Sequence, residues 1–423
     1  MQALTQKLRL ILTDPSIMRK LGFMIGGLIL FRALAVIPLP GIDALRLETF
    51  FAQSQALGFL NVFTGGGLSN LSIVMLGVAP FITASIIMQL GTVIAPKLKA
   101  MYTEEGEIGR RRFSQYARVL SVPLAIIQAV GLLLYFQAQG ILIHGNWFFF
   151  AMNVAVAVAG SMLLMWIGEL ITEYGIGNGV SLIIFAGIVA TLPSTIAQLL
   201  FTFDPSQIPL YVGFSAVALA VTYAVVYISE AERPIPVTYA KRVVGTAVSG
   251  GVPTYLPLRL NQAGVMPIIF ALSILSLPEI GLAYLANAGL GALSALATML
   301  TTYTGASVVY GVLYFLCVIL FTYFFTAITF DPQQMAQNLQ KNGAFVPGVR
   351  PGQTTAEYIG RVITRITLVG AVFLGVIAVF PLIVENVTGI ASLAIGGTAL
   401  LIVVSVVLDV VRKIDAQISL REY

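Results

Sequence analysis

The sequence is poor in the residues from which most catalytic and metal sites are built. Its 423 residues include one cysteine, Cys317, and one histidine, His144. A single cysteine excludes an internal disulfide and a cysteine-rich metal site. The histidine lies in a gap between apolar segments, and the chain shows neither paired acidic residues nor zinc-ligand spacing. These absences argue against an enzyme.

Charged residues are also scarce, at 10% of the chain, whereas 58% of the residues are hydrophobic and the mean hydropathy is +0.94. This composition is typical of a chain surrounded mostly by lipid, with no separate soluble domain. Ten apolar segments occur, and most are long enough to span a ~30 Å hydrocarbon layer. They cover residues 21–37, 73–95, 119–136, 148–170, 180–200, 210–228, 265–285, 307–330, 363–384 and 390–411. The sequence therefore predicts an all-α polytopic membrane protein.

The basic residues are distributed asymmetrically. Of the 23 lysines and arginines, all but Arg32 and Arg46 lie in alternate gaps between the apolar segments, or within a turn of those gaps. Because basic residues favour the cytoplasmic side, this pattern places both chain termini there. The predicted regions are a cytoplasmic amphipathic helix at 1–20, broken at Asp14 and Pro15, an N-terminal half at 21–200, a C-terminal half at 201–411 with cytoplasmic loops 229–264 and 331–362, and a short cytoplasmic tail at 412–423.

Neither ion-coupled transport nor nucleotide hydrolysis has support in the residue pattern. A charge at the centre of a span is costly and usually marks an ion or proton path. The charged residues of the spans instead lie toward span ends, as do Arg32, Glu169, Glu279 and Asp409. Three glycine-rich stretches, at 65–67, 175–179 and 396–397, lack the lysine of a phosphate-binding loop. No cofactor is therefore expected.

The two halves share a short repeat. Residues 77–82, Gly-Val-Ala-Pro-Phe-Ile, match residues 264–269, Gly-Val-Met-Pro-Ile-Ile, and each stretch belongs to the second span of a five-span half. An odd number of spans gives the halves opposite orientations, as in transport proteins whose ligand path lies between inverted repeats. Between the first two spans, residues 57–63 are too short to cross the membrane but apolar. We expect them to fold back into the protein.

Four longer motifs resemble those of the SecY family of protein-conducting channels. They are residues 37–43, Ile-Pro-Leu-Pro-Gly-Ile-Asp; 79–87, Ala-Pro-Phe-Ile-Thr-Ala-Ser-Ile-Ile; 173–179, Glu-Tyr-Gly-Ile-Gly-Asn-Gly; and 343–352, Gly-Ala-Phe-Val-Pro-Gly-Val-Arg-Pro-Gly. The resemblance covers nearly the whole chain, with the motifs in the family's order. It implies two five-span halves around an hourglass pore that passes unfolded secretory polypeptides and releases apolar segments sideways into lipid.

The resemblance also assigns residues to four parts of such a channel. A plug, formed by a short re-entrant helix at about 61–72, would include Asn61, Phe63, Gly65, Gly66, Gly67, Leu68 and Ser69. A pore ring would consist of Val78, Ile82, Val180, Ile184, Ile269 and Ile402. A lateral gate, between spans 2 and 3 of one half and spans 7 and 8 of the other, would be lined by Thr83, Gln89, Gln128 and Asn261. Cytoplasmic partners would contact Lys241, Arg242 and Arg350.

An aliphatic ring suits such a channel because it excludes water and ions when shut and makes no specific hydrogen bond with a passing peptide. Gate amides that hydrogen-bond across helices would stabilise closure by about 0.6 to 2 kcal/mol each. The resemblance implies that the chain lies in the bacterial inner membrane. The implied partners are SecE, SecG, the SecA motor, the ribosome with its nascent chain, signal sequences and secretory polypeptides, lipid, YidC and SecDF. The chain departs from the family at Pro234, Thr246 and Ala247, where many relatives have further arginines, which weakens the expected attraction for rRNA or an acidic motor surface.

Two other classes of protein stay open at this point. A small-solute transporter with an inverted repeat would have a saturable ligand site in place of an aliphatic ring. A membrane-anchored scaffold would need neither the glycine and proline interruptions nor a segment that folds back. For each ring residue, ordinary core or lipid packing is the competing interpretation.

Overall fold

The computed structural model is mostly helical, and it describes residues 14–43, 46–47, 64, 66–68, 70–142, 146–201, 208–239, 242–244, 247–249, 253–275, 307–388 and 391–419. Its elements are α1 (Pro15–Val36), α2 (Ala79–Ile94), α3 (Pro96–Thr103), α4 (Gly106–Ala138), α5 (Trp147–Tyr174), α6 (Gly179–Phe201), α7 (Ile208–Glu230), β1 (Glu232–Tyr239), β2 (Arg242–Val244), β3 (Ala247–Ser249), β4 (Pro253–Arg259), α8 (Met266–Leu275), α9 (Ser307–Thr329), α10 (Pro332–Lys341), β5 (Ala344–Phe345), α11 (Gln353–Thr388) and α12 (Ala391–Ser419). Each predicted span overlaps one of these helices. His144, Glu279 and residues 57–63 lie outside the described ranges.

Several of the helices have the length and composition of membrane spans. Within the described part of the chain, four helical stretches qualify alone: Gly106–Ala138, Trp147–Tyr174, Val308–Lys341 and Gln353–Val384. The third of these includes both α9 and α10. A fifth is added if α2 and α3, which bend by 109° at their junction, form one broken span. Shorter apolar helices occur at Gly179–Pro193, Ser215–Glu230 and Met266–Leu275. The chain is thus a multi-pass membrane protein, and the full number of ten spans stays a prediction.

The first described helix begins where the sequence predicted another helix to end. Asp14 is the N-cap of α1, and its carboxylate accepts a hydrogen bond from Ser16 N at 2.9 Å. Pro15 occupies the first turn, where its missing N–H costs nothing. Residues 15–20 therefore belong to the first span and not to the surface helix predicted at 1–20, the rest of which lies outside the described residues.

Other helix ends also differ from the predicted spans. Helix α4 begins at Gly106 rather than 119, and α11 begins at Gln353 rather than 363. Helix α12 continues to Ser419, so most of the predicted tail at 412–423 is helical. Helix α2 begins at Ala79 rather than 73, because turns occupy the residues before it. Hydropathy marks the apolar part of a helix, whereas caps and turns set its ends.

Strands in the cytoplasmic loops correct the prediction of an all-α fold. Strand β1 lies between β4 and β5 in an antiparallel sheet, and β2 pairs with β3. Pro234 and Pro236 are unusual residues for β1, because proline cannot donate a hydrogen bond to a neighbouring strand. However, β5 pairs only with the last two residues of β1, so both prolines lie where β1 pairs with β4 alone. Their side chains are exposed, while Ile235 between them and Val237 after them are buried.

The two predicted cytoplasmic loops pack together into one small unit. Ile235 and Val237 of β1 share a hydrophobic cluster with Ala344 of β5 and with Ile359 and Ile363 of α11. Helix α10 packs on both α11 and β5. The described parts of 229–264 and 331–362 therefore form a structured unit, here called the cytoplasmic unit, at the start of α11.

The packing of the helices repeats between the halves. Helix α4 packs on α5 and α5 on α6, as α9 packs on α11 and α11 on α12. Likewise α1 contacts α6 as α7 contacts α12, and α6 packs on α12 to join the halves. Gly77 and Gly264, at matching positions of the sequence repeat, have positive φ values of 58° and 63°. These matches support the internal duplication, and the opposite orientation of the halves stays a prediction.

Candidate functional site

The six residues of the predicted pore ring come together in one hydrophobic cluster. Five of them are buried, with exposed fractions between 0 and 8%: Val78, Ile82, Ile184, Ile269 and Ile402. Val180 is half-buried and packs against the same cluster. The cluster draws residues from α1, α2, α5 and α6 of the first half and from α7, α8, α9, α11 and α12 of the second. These six residues therefore lie where helices of the two halves pack together, and their role as a pore ring stays a prediction.

A glycine turn sets the start of α2 and with it two ring residues. A Cβ atom on Gly77 would lie 2.7 Å from Thr64 Cα, and the φ value of 58° is itself unfavourable for other residues. Ser161 of α5 is fully buried and donates a hydrogen bond from Oγ to Gly77 O at 2.9 Å. Ile82 N donates to Val78 O at 3.1 Å. These two ring residues thus stand one helical turn apart on the same face.

A second turn, at residues 175–179, positions the ring residues of α6. Asn178 Oδ1 accepts a hydrogen bond from Val180 N at 3.1 Å and caps the helix. A Cβ atom on Gly179 would collide with Gly168 O of α5. The tight turn and the close approach of two helices expected from these glycines are both present.

A polar cavity of about 330 Å³ adjoins the ring. Ile184, Ile269 and Ile402 contribute to its apolar part. Its polar and charged lining residues are Asn178, Ser181, Ser229, Arg259, Asn261, Gln262, Ser405, Asp409, Arg412 and Lys413. Several of these belong to segments that the charge pattern places on the cytoplasmic side. We therefore call this space the cytoplasmic cavity.

Ion pairs order the rim of the cytoplasmic cavity. Arg412 of α12 donates to Glu230 Oε1 from Nε at 2.9 Å and from Nη2 at 2.6 Å. Its Nη2 also donates to Ser229 O at 2.8 Å. Lys413 pairs with Asp409 at 2.8 Å one helical turn away. These bonds hold α12 against the end of α7 at the mouth of the cavity.

Sequence reasoning missed two residues of the same arrangement. Val265 and Val406 belong to the ring's cluster and line the cytoplasmic cavity. Val265 precedes Ile269 by four residues and Val406 follows Ile402 by four, so each pair lies on one helix face. The signal for Val265 was present in the repeat, where it matches Val78. Val406 had no such signal, because the repeat does not extend to α12.

The predicted plug at 61–72 is described only in part. Asn61, Phe63, Gly65 and Ser69 lie outside the described residues. Gly66, Gly67 and Leu68 are buried and lie in turns. Ser72 N donates to Gly67 O at 2.9 Å, and Leu71 O accepts a hydrogen bond from the chain that follows α1. The described residues of this segment form turns and no helix, so a plug helix stays a prediction.

The predicted gate residues do not form the expected hydrogen bonds across helices. Thr83 Oγ1 donates to Ala79 O of its own helix at 3.0 Å, as threonines in helices commonly do. Gln89 Oε1 and Asn261 Oδ1 are buried without a hydrogen-bond partner in the described part of the chain. Gln128 is half-buried on α4. For these threonine and amide oxygens the expected bonds are wrong in this conformation, and the gate itself stays a prediction.

The predicted docking residues lie in or beside the cytoplasmic unit. Arg350 is exposed between β5 and α11, and its carbonyl oxygen accepts a hydrogen bond from Thr355 Oγ1 at 2.7 Å. Arg242 lies in β2 opposite Ser249. Lys241 lies outside the described residues. Arg350 is therefore accessible to solvent, and its contact with a cytoplasmic partner stays a prediction.

Fold and site together define a multi-pass membrane protein in which two groups of helices meet at a buried aliphatic cluster beside a cavity with polar and charged lining residues. A model of the SecY family matches residues 72–411. The chain is 42% identical over 413 residues to the protein translocase subunit SecY of Escherichia coli K12, covering 96% of this chain and 92% of that one. It is 40% identical over 409 residues to the subunit of Pseudomonas aeruginosa, covering 96% and 91%. The chain belongs to the SecY family.

Solved structures of protein-conducting channels share the fold. One such channel superposes with a TM-score of 0.64 at 18% identity, covering 96% of this chain and 93% of the other. A SecY structure that concerns the plug domain gives 0.66 at 20% identity with the same coverage. Sec61 in a canine ribosome–channel complex gives 0.62 at 18% identity, again over 96% and 93%. The architecture is thus shared over nearly the full length of each chain.

Proposed function

We propose that this chain is the central subunit of a protein-conducting channel, which passes unfolded secretory polypeptides across the membrane and releases transmembrane segments sideways into the bilayer. The observation that supports the proposal is a buried cluster, built by both halves beside a cavity with polar and charged lining residues, that contains or touches all six residues of the proposed aliphatic ring. Such a ring excludes water and ions when shut. It offers an unfolded chain no particular hydrogen bond, so polypeptides of many sequences can pass.

The proposed architecture has ten spans in two inverted halves of five, with residues 61–72 closing the outer funnel. The repeated helix packing and the matching turns at Gly77 and Gly264 support two related halves. One structure of similar fold concerns a SecY plug domain that stabilises the closed state and maintains the membrane seal. By analogy, residues 61–72 of this chain would prevent leakage at rest.

The proposed lateral exit lies between α2 and α4 of one half and α8 and α9 of the other. Buried polar atoms without partners destabilise the conformation that buries them. The amide oxygens of Gln89 and Asn261 are in this state, and they gain hydrogen bonds with water when the helices separate. Hydrogen bonds of these two oxygens therefore do not help to hold the exit shut in this conformation.

The chain is proposed to lie in the bacterial inner membrane with both termini in the cytoplasm, because basic residues favour that side. Its proposed partners are SecE, SecG, SecA, the ribosome with its nascent chain, YidC and SecDF. Two structures of similar fold contain ribosomes, namely Sec61 in the canine complex and the idle yeast Ssh1 complex. The channel itself would be passive, with the energy supplied by the motor or by translation.

Site-specific crosslinking from the ring tests the proposal. A photoreactive residue replaces Ile82 in membranes that contain the partner subunits, and a secretory chain is stalled in transit. A matched probe replaces Ile29, which is 64% exposed on α1 and faces away from the ring. We expect the polar part of the stalled chain to crosslink at position 82 and not at position 29.

Other crosslinking results would contradict the conduit. Equal crosslinking from both positions would mean that the chain does not pass specifically through the ring. No crosslink from position 82, with the secretory chain engaged and the probe active elsewhere, would reopen the small-solute transporter. The two probes therefore separate a central pore from a path along the lipid surface.

A further inference from the structure

Helices α5 and α11 each lie with one glycine against the turn that precedes α2 or α8. A Cβ atom on Gly160 of α5 would collide with Ile73 O. A Cβ atom on Gly370 of α11 would lie 2.6 Å from Leu260 O. Each of these carbonyls belongs to the residue four positions before the repeated glycine, the one with a positive φ value. The two halves therefore share the contact between helix and turn as well as the turn itself.

The halves differ at the residue that follows each of these helix glycines. In the first half it is Ser161 and in the second it is Ala371, and both are fully buried. Ser161 Oγ donates a hydrogen bond to Gly77 O at 2.9 Å, from 84 residues away in the sequence. Ala371 has no hydroxyl, and Gly264 O accepts no hydrogen bond from the described residues. Within this part of the chain, the neighbouring helix therefore bonds the repeated glycine in the first half alone.

The direction of the Ser161 hydroxyl is unusual for a serine within a helix. Such hydroxyls commonly donate to a carbonyl of their own helix. Ser121 of α4, which is also fully buried, donates in this way to Arg118 O at 2.6 Å. The hydroxyl of Ser161 instead donates to a carbonyl of another segment. The bond therefore joins two elements and does not merely satisfy the hydroxyl.

The bonded carbonyl controls the direction of a predicted ring residue. The oxygen of Gly77 and the nitrogen of Val78 belong to one planar peptide group. Glycine gives that group more freedom to rotate than other residues do, because it has no Cβ atom. Gly77 N donates to Val74 O at 2.8 Å, and Val78 is the N-cap residue of α2. The hydrogen bond from Ser161 therefore fixes the peptide group through which the turn passes into α2.

We propose that Ser161 is a positioning residue for the barrier of the channel. Its hydroxyl holds the peptide group between Gly77 and Val78, so that Val78 and Ile82 keep their places in the hydrophobic cluster. The inference rests on the proposed function, because it takes these two residues as part of the pore ring. Without the hydroxyl, the carbonyl of the buried Gly77 loses its donor, which destabilises this conformation of the turn.

Amide hydrogen exchange measures how often the turn opens. The full chain with its partner subunits is placed in nanodiscs, and exchange is followed in residues 72–82 and in the matching residues 259–269. Ser161→Val and Ser161→Thr give side chains of similar shape that differ in the hydroxyl. We expect exchange in 72–82 to be about tenfold faster with valine than with threonine, because a buried carbonyl has lost its donor. Exchange in 259–269 should be the same in both variants.

Resting ion conductance in planar bilayers measures the barrier itself. Ser161→Ala is expected to raise this conductance about tenfold, because the opened turn displaces Val78 and Ile82. Ser161→Thr keeps the hydroxyl and should leave the conductance unchanged. Ser121→Ala is the matched control, because Ser121 is also a fully buried serine and contacts two methionine sulfurs of α5. This control should change neither the exchange in 72–82 nor the conductance.

Three outcomes would overturn the role of Ser161. The first is equal exchange in residues 72–82 with valine and with threonine at position 161. The second is an equal effect of Ser121→Ala and Ser161→Ala, which would indicate general loosening of α5. The third is faster exchange without increased conductance in Ser161→Ala, which would mean that the turn does not position the barrier.

The variant Ile82→Ser separates failure of this inference from failure of the proposed function. It is expected to conduct ions at rest if the chain forms a pore. Conductance through Ile82→Ser, together with any of the three outcomes above, would overturn the role of Ser161 alone. No conductance through Ile82→Ser, together with no crosslink from position 82, would remove the proposed function and this inference with it.

Discussion

Replacing Gly77 and Gly264 with alanine separates backbone conformation from steric fit at two matching turns. Their φ values of 58° and 63° cost a residue with a side chain about 1–2 kcal/mol at either position. Around Gly264, apart from its two chain neighbours, no atom of the described residues lies within 4 Å of an added Cβ. At Gly77 the added atom would lie 2.7 Å from Thr64 Cα and 3.0 Å from Thr64 O. These are backbone atoms, which cannot rotate away as the end of a side chain can.

The expected magnitudes follow from this difference. Gly264→Ala should lower the free energy of unfolding by the conformational cost alone, about 1–2 kcal/mol. Gly77→Ala adds an overpacking cost of about 1–3 kcal/mol, for a total of about 2–5 kcal/mol. Because Thr64 belongs to the predicted plug at 61–72, Gly77→Ala should also displace this region and raise the resting ion conductance. Gly264→Ala should leave the conductance unchanged.

Two measurements on the purified complex check this reasoning. An SDS titration gives the free energy of unfolding of each variant, and planar bilayers give the resting conductance. Equal destabilisation by the two substitutions would refute the importance of the Thr64 contact. Strong destabilisation by Gly77→Ala without any leak would refute the connection between this contact and the seal.

Three further predictions concern the cytoplasmic side. Glu230→Gln breaks a partly exposed ion pair with Arg412, so the SDS titration should show a free energy of unfolding lower by at most about 1 kcal/mol. This difference should disappear at high salt, and a difference that persists there would contradict a Coulombic pair. Val237→Asp buries a carboxylate in the cytoplasmic unit, at a cost in the free energy of unfolding of more than about 2 kcal/mol. It should abolish partner-driven translocation in vesicles and leave the resting conductance unchanged. An increased resting conductance would show that the unit also supports the pore. Arg350→Gln should weaken co-sedimentation with ribosomes or SecA mostly at low salt, and an equal loss at all salt concentrations would contradict an electrostatic contact.

The membrane helices were the most predictable part of the fold, and their ends the least. Long apolar runs located a helix for each predicted span, because hydropathy needs no knowledge of neighbours. Asp14 and Pro15 were ambiguous, since the same pair ends one helix or starts the next. The structure resolves this through the hydrogen bond from Ser16 N to the Asp14 carboxylate. The strand at Pro234 and Pro236 was missed because its pairing depends on a distant segment, β4.

The candidate site was predictable to a different degree in its different parts. The resemblance named six aliphatic residues that the structure gathers in one cluster. It could not indicate how buried amides would be oriented, so it did not predict that Gln89 Oε1 and Asn261 Oδ1 lack a hydrogen-bond partner in the described part of the chain. The hydrogen bond from Ser161 to Gly77 O was also out of reach, because it joins a helix to a turn of irregular shape. Side-chain direction at such junctions follows from tertiary packing and not from local pattern.

Val265 shows how the repeat could extend the sequence prediction. A glycine with a positive φ value, followed by Val-x-Pro, comes at the start of both α2 and α8. The residue after each glycine should therefore face the same way relative to its helix. Val78 was assigned to the ring and Val265 was not, although both pack in its cluster. If the geometry of the turn places ring residues, Val265 must contribute to the seal as Val78 does.

Serine at position 265 tests this equivalence. Val265→Ser replaces a water-excluding side chain by a smaller polar one, so it should raise the resting conductance, as we also expect of Val78→Ser. Ile274→Ser is the matched control, because Ile274 also packs against the cluster but lies more than two turns further along α8. A leak from position 274 equal to that from 265 would mean that general loosening of the cluster, and not position in the ring, breaks the seal. A leak from 78 and not from 265 would mean that the two halves share a turn but do not share the barrier.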